Sequence, residues 1–314
     1  MARRLTFARV PGVRLGHATS PDGASGVTVV RFDRARPVVV DVRGGASATY
    51  DIASLALDAT FGRRWAIFLS GGSLYGLDAA RGVRTRILEE GEGETAFASP
   101  TRVVPIAGAS IFDLPVASEA IPDYLPLGYE ATRVADRSAA ASGRVGAGAG
   151  ATVGKYLGRA RAMRGGLASA AARVPRGGTV GVLVVVNAVG AVRDPRTGAW
   201  VAGAHGRGGR ISPPRSGRGG DATDSHTTLA IVVTDLAIGR SGLQRIAANV
   251  STGLARVIVP FHTSVDGDLV FAASTEQRRV LPAERRPGAL ADRIGTRAAE
   301  LAAEAAVRAV RPSA

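Results

Sequence analysis

Five residues able to do chemistry stand where predicted strands meet loops: Lys155, Asn187, Thr227, Asp266 and Asp268. A hydroxyl can attack a carbonyl, a lysine and two carboxylates can move protons, and a side-chain amide can donate to an oxyanion. Thr227 lies between a long run of Gly, Arg, Ser and Pro (Gly203 to Ser225) and the apolar stretch Leu229 to Asp235. Scission of the His226–Thr227 bond would make that threonine a new N-terminus, with its hydroxyl as nucleophile and its α-amine as base. Each residue also has a plain structural reading. Asp266-Gly267-Asp268 suits a tight turn, Asn187 a turn, Lys155 a surface charge, and Thr227 the end of a surface loop.

The lysine carries one more clue. Of 40 basic residues, Lys155 is the sole lysine, which points to a titratable ammonium that guanidinium cannot replace. Other signatures fail on inspection. The glycine-rich run before Lys155 has Ala149 where a phosphate loop needs its first glycine, and Tyr156 where it needs Ser or Thr. Gly71-Gly72-Ser73-Leu74-Tyr75-Gly76 misses the G-x-S-x-G elbow by one position. Asp266-Gly267-Asp268 lacks the other ligands of a calcium loop. Four scattered histidines give no zinc spacing, and Asp224-Ser225-His226 are too close in sequence to form a triad. No metal and no cofactor are expected.

The elements that must position these groups can be sketched from the pattern. Strands are predicted at Gly26 to Phe32 and Val38 to Val42, with a turn at Arg34 to Pro37. Further strands are expected at Trp65 to Leu69, within Val103 to Asp113, at Val180 to Val186, at Leu229 to Asp235 and at Leu269 to Ala273. Asp51 reads as the cap of a helix bearing Ile52, Leu55, Ala56 and Ala59. Other helices are expected through Leu77 to Leu88, over Glu130 to Ala141, after a Ser241/Gln244 capping box, and from about Leu290 to before Pro312. Strands and helices interleave without strict alternation, so mixed sheets covered by helices are expected in a single domain, residues 1–314.

With 46% apolar residues the chain can bury a sizeable core. Having no cysteine, it can form no disulfide or thiolate nucleophile. The start, Met-Ala-Arg-Arg-Leu-Thr-Phe, lacks the apolar region of a signal peptide, and no stretch approaches a membrane span. A soluble cytoplasmic protein with no membrane partner is the expectation. The net charge of +14 raises a nucleic-acid-binding rival. However, the charge is spread along the chain and aromatics are too sparse for stacking platforms. No nucleic acid partner is therefore expected.

Six segments in order resemble the DmpA-type N-terminal-nucleophile hydrolases, namely the L-aminopeptidase/D-esterases, β-peptidyl aminopeptidases and nylon-oligomer (6-aminohexanoate-oligomer) hydrolases. They are Asp41 to Ala46, Gly71 to Leu77, Gly146 to Lys155, Val186 to Gly190, His226 to Leu229, and Pro260 to Thr263 with Asp266-Gly267-Asp268. The threonine and the Asp-Gly-Asp element resemble the nylon-oligomer branch most. The resemblance implies an αββα four-layer sandwich with mixed sheets, of the α/β (α+β) class. It also implies self-cleavage into 1–226 and 227–314, metal-free amide hydrolysis and a homo-oligomer, a tetramer by resemblance. Thr227 would be the nucleophile and Lys155 would tune it. Asn187 would hold the oxyanion, and Asp266 and Asp268 would orient the new amine and hydroxyl. Phe112, Gly71, Gly72 and Tyr75 would meet a small or oligomeric amide substrate. Two positions depart from that branch: His226 replaces its asparagine, and Phe112 its tyrosine.

Overall fold

The computed structural model describes residues 5–95, 99–114, 121–138, 142–175, 177–214, 226–279 and 288–311. Eight strands form the body of the protein: β1 (Val13–Thr19), β2 (Gly26–Val42), β3 (Arg63–Ser70), β4 (Ile106–Ser110), β5 (Gly166–Arg173), β6 (Thr179–Asn187), β7 (Thr227–Leu236) and β8 (Leu269–Arg278). Four helices cover them: α1 (Ala79–Glu89), α2 (Tyr124–Arg133), α3 (Arg240–Ala255) and α4 (Ala289–Ala309).

β2 belongs to two sheets. Its first half pairs with β1 and β3, and β3 runs parallel to β4. Its second half pairs with β8, which runs parallel to β7, followed by β6 and β5. The expected turn at Arg34 to Pro37 is instead an irregularity within one continuous strand, where the pairing shifts between Arg31 and Arg36. Asp33 clasps the buried Arg36 guanidinium there at 3.0 and 2.8 Å. That ion pair satisfies a charge which a free turn would leave to water.

Three apolar layers alternate with the sheets, which gives the αββα order. Val182, Val184 and Val232 face Leu243, Ile246, Ile294 and Leu301 of α3 and α4. Leu183, Val185, Ile231 and Phe271 face Val30, Ile67 and Leu69 across the middle. Val29, Ala66 and Phe68 face Val83 and Ile87 of α1 on the far side. β6 and β7 are buried along their whole length, as strands covered on both faces must be. Among the described residues no helix is long and apolar enough to cross a membrane.

Four local expectations are corrected. After Asp51 there is only a single helical turn, Ala53–Leu55. Carbonyls that a helix would use (Leu55, Ala56, Ala59) accept from the Arg240 guanidinium instead. Helix α2 starts at Tyr124 and ends at Arg133, well before Ala141. Asp123 caps it by accepting from the Leu125 N–H at 3.1 Å, and Pro126 sits in the first turn, where a missing N–H costs nothing. In α3 the capping position is Gly239, and Ser241 and Gln244 lie inside the helix. Gln244 donates instead to the Val40 carbonyl at 3.3 Å, tying α3 to the sheet. Finally, the run expected to be structureless contains a small ladder pairing Ala204–His205 with Ile211–Ser212. Residues 215–225 lie outside the described residues.

Candidate active site

The register of β6 against β7 sets the site. Asn187, the last residue of β6, is the cross-strand partner of Thr227, the first residue of β7. Both are buried. The Thr227 hydroxyl donates to the carbonyl of His226 at 2.6 Å. The same carbonyl accepts the backbone N–H of Gly267 at 2.5 Å. The bond before Thr227 therefore has a hydroxyl beside it and a donor polarising its oxygen, an arrangement suited to acyl transfer.

Gly267 reaches that position because the Asp-Gly-Asp turn is pinned from both sides. Arg43 and Gly44 donate to the Asp268 carbonyl at 3.0 and 3.1 Å, and Ala46 to the Asp266 carbonyl at 2.9 Å. His226 donates to Val265 at 2.8 Å and forms an isolated parallel bridge with Asp266. A side chain at Gly267 would start 2.6 Å from the Thr227 hydroxyl, so only glycine lets the turn come this close.

The two aspartates hold backbone. Asp268 accepts the Thr228 N–H at 2.6 Å with one oxygen, and the His262 N–H and Nδ1 at 3.0 Å with the other. Asp266 accepts from the Thr263 N–H at 2.9 Å and hydroxyl at 2.6 Å, and more distantly from Val189 at 3.5 Å. Burial, followed by the neighbouring Asp268 charge, raises the Asp266 carboxyl above its ordinary range. In the continuous chain, then, Asp268 braces the residue after Thr227, while the Asp266 carboxylate holds Thr263 and Val189.

Lys155 follows Gly154, whose φ of +79° and whose approach to the Gly203 backbone exclude a side chain. That turn sends Lys155 inward. Its ammonium, 4% exposed, donates to the Asn187 carbonyl at 3.0 Å and side-chain oxygen at 2.8 Å. Asn187 also accepts from the Thr152 N–H and donates to the Phe112 carbonyl, each at 3.0 Å. The five residues singled out from sequence are thus linked, and Phe112 joins them through its backbone. Its ring carries the Arg159 guanidinium 5.6 Å from its centroid, within cation–π range.

His226 is buried, and neither ring nitrogen has a hydrogen-bond partner among the described residues. Burial, then the charges of Lys155 and Arg159, push its pKa down to about 3. The imidazole is therefore neutral.

Asp113 was not singled out from the sequence. It accepts from the Gly72 N–H at 2.6 Å and from Ser25 Oγ at 2.9 Å, and Ser25 Oγ meets the Tyr124 hydroxyl at 2.7 Å. Burial raises the Asp113 pKa to about 6 against the pull of those donors and of Lys155. The one signal available was its place directly after Phe112. Gly71 and Gly72 pack around Asp113, Ser25 and Tyr124, whereas Tyr75 is 52% exposed on the following turn. Among the described residues no group of three or more His, Asp or Glu could hold a metal ion.

The sequence matches peptidase family S58 over residues 7–313. A Mycobacterium tuberculosis protein described as an uncharacterized aminopeptidase is 38% identical, over 96% of this chain and 91% of its own. A 6-aminohexanoate-oligomer endohydrolase of Kocuria sp. is 32% identical over 93% of this chain and 80% of its own. Among solved structures, the L-aminopeptidase D-Ala-esterase/amidase of Ochrobactrum anthropi, a variant of the Ntn hydrolase fold, superposes with a TM-score of 0.69 at 19% identity. That match covers 97% of this chain and 85% of the other. A Burkholderia sp. β-aminopeptidase gives 0.66 at 21% identity, covering 98% and 86%. The sequence match and the relatives agree: this chain belongs to peptidase family S58 and is an amide hydrolase, and its fold is shared with the Ntn-hydrolase variant.

Proposed function

We propose that the protein cuts itself before Thr227 and then uses that threonine to hydrolyse amides of ω-amino-acid oligomers through an acyl-enzyme. The observation that carries this reading is the Thr227 hydroxyl 2.6 Å from the His226 carbonyl oxygen, with the Gly267 N–H on the same oxygen. Attack of Oγ on that carbonyl carbon would break the C–N bond, free the Thr227 amine and leave an ester, which water hydrolyses to release the hydroxyl and a carboxylate on His226. In the mature enzyme the same hydroxyl would attack substrate, and the Gly267 N–H would take the oxyanion role expected of Asn187, whose amide nitrogen donates to the Phe112 carbonyl. Lys155 would bias the polar cluster through Asn187, while Asp266 and Asp268 would hold the strand start. The 6-aminohexanoate-oligomer relative supports an extended, largely apolar substrate.

A second reading, an aminopeptidase or β-aminopeptidase, is favoured by the mycobacterial relative. Assembly into a homo-oligomer belongs to either reading.

Intact-mass measurement and a denaturing gel test the first step, with fragments 1–226 and 227–314 expected. An uncut chain that stays uncut on prolonged incubation refutes it. The substrate is tested by comparing amino-terminal p-nitroanilides with linear and end-blocked 6-aminohexanoate oligomers. Product from blocked oligomers is expected. Rapid anilide cleavage with no such product would leave the aminopeptidase.

A further inference from the structure

Asn187 pairs with Thr227 across the strands, and both ends of its amide are fixed by groups that can play only one part. The Thr152 N–H and the Lys155 ammonium can only donate, so the atom 3.0 and 2.8 Å from them is the oxygen. The Phe112 carbonyl can only accept, so the atom 3.0 Å from it is the nitrogen. That carbonyl therefore helps decide which end of the amide Lys155 meets. It belongs to the planar peptide unit that joins Phe112 to Asp113, and so moves with Asp113.

Asp113 is anchored at the ends of three elements. One carboxylate oxygen accepts the Gly72 N–H at 2.6 Å, just beyond β3, and the other accepts from Ser25 Oγ at 2.9 Å, just before β2. With the carboxyl ionised, Ser25 gives its single hydrogen to Asp113, so the Tyr124 hydroxyl, at the start of α2, donates to Ser25 at 2.7 Å. Glycines make room for this chain. A methyl at Gly71 would overlap the Ser25 hydroxyl and the carboxylate, and one at Gly72 would overlap the Tyr124 ring. A methyl at Gly150 would stand 2.6 Å from the carboxylate. The two glycine runs that fit neither a phosphate loop nor a nucleophile elbow thus form the seat of a buried acid. Burial raises its pKa to about 6, and groups perturbed in this way gather at functional sites.

We infer that Asp113 is a positioning residue for this hydrolase: anchored to Gly72 and Ser25, it holds the Phe112 carbonyl where Asn187 donates to it, and so keeps the Asn187 oxygen on Lys155 beside Thr227. The chain of contacts runs from Tyr124 through Ser25, Asp113, Phe112 and Asn187 to Lys155. It joins the ends of β2, β3 and β4 to the strand pair that carries the nucleophile. The inference rests on the reading of Thr227 as that nucleophile and goes beyond it to a residue that acts on the reaction through Asn187.

The test follows self-cleavage of the full chain, made in a cell-free extract and sampled over time by intact mass, with folding checked by circular dichroism. Asp113→Ala should slow the cut by roughly a hundredfold, the cost of displacing a reacting group by about 1 Å. Asp113→Asn should recover most of the rate. Its oxygen can keep the Gly72 N–H and its nitrogen can donate to Ser25, whose own hydrogen then turns to Tyr124. A merely structural role would be indifferent to the residue at 187. In an Asn187→Ala background, by contrast, Asp113→Ala should slow the cut by less than about twofold further, because effects that pass through one contact do not add. The full loss in that background, a parental rate for Asp113→Ala, or equal slowing by Ala and Asn overturns the assignment and leaves self-cleavage standing. Should Asp113→Ala fail to fold, Ser25→Ala, which removes one of the two anchors, goes through the same cycle with a smaller loss expected. Should the double variant be too slow to read, the Asn187 side-chain amide resonance in uncut, 15N-labelled Thr227→Ala protein decides: Asp113→Ala should shift it and Asp113→Asn restore it, and an unmoved signal overturns the assignment. A wild-type chain that is never cut overturns the reading of Thr227 and this inference with it.

Discussion

Asp113 offers a pH signature that a single substitution can test. Its folded pKa, about 6, lies above the ordinary 3.8 because burial outweighs the hydrogen bonds from Gly72 and Ser25. Between those values the folded state holds more protons than the unfolded state, so this carboxyl's contribution to stability is present at low pH and is lost as pH rises through about 6. Asp113→Asn should therefore gain stability relative to the parent, on the order of 3 kcal/mol between pH 4 and 7. Denaturant melts at several pH values check this, and parallel pH curves for the two proteins would refute it. At this scale the sequence revealed residue types better than partners. A lone lysine and an Asp-Gly-Asp triplet were visible as chemistry. That Lys155 would bond Asn187 twice, or that Asp268 would take the Thr228 N–H, depends on strand register, which no local pattern encodes.

Elements with a strong apolar signature were legible: β6 through its valine run, β7 through Leu229 to Val233, and α4 through Ile294, Ala298 and Leu301. Those shaped by distant groups were not. Arg240 took the carbonyls that would have made a helix after Asp51, and Pro126 hid the first turn of α2. The alanine-rich β5 gave no β-branched signal, yet it pairs with β6 along eight residues, Gly166 to Arg173. The Asp266–Asp268 turn shows most clearly how an element constrains the site. Alanine at Gly267 would place its methyl 2.6 Å from the Thr227 hydroxyl and 2.8 Å from the Ala46 carbonyl. Displacing a reacting group by about 1 Å can cost a hundredfold, so Gly267→Ala should slow processing by roughly that factor while the protein still folds. Processing at the parental rate, read by intact mass, would show that the turn has slack.

A cut before Thr227 would divide the molecule across the middle of a sheet. β7 and β8 would fall to the second piece, yet β7 is hydrogen-bonded to β6, β8 to the second half of β2, and α3 and α4 pack over all of them. The pieces should therefore elute together in native buffer and separate only in denaturant; two native peaks after processing would contradict this. The strand sharing has one more consequence, for the order of reaction. An uncut chain regains its structure in a first-order process, whereas a cut one needs an encounter whose rate falls with dilution. The released piece carries two strands, β7 and β8, that are apolar on both faces, and such edges associate with one another when unpaired. Scission would thus act as a ratchet: one broken bond, with the sheet left in place, turns a recoverable unfolding into a one-way loss.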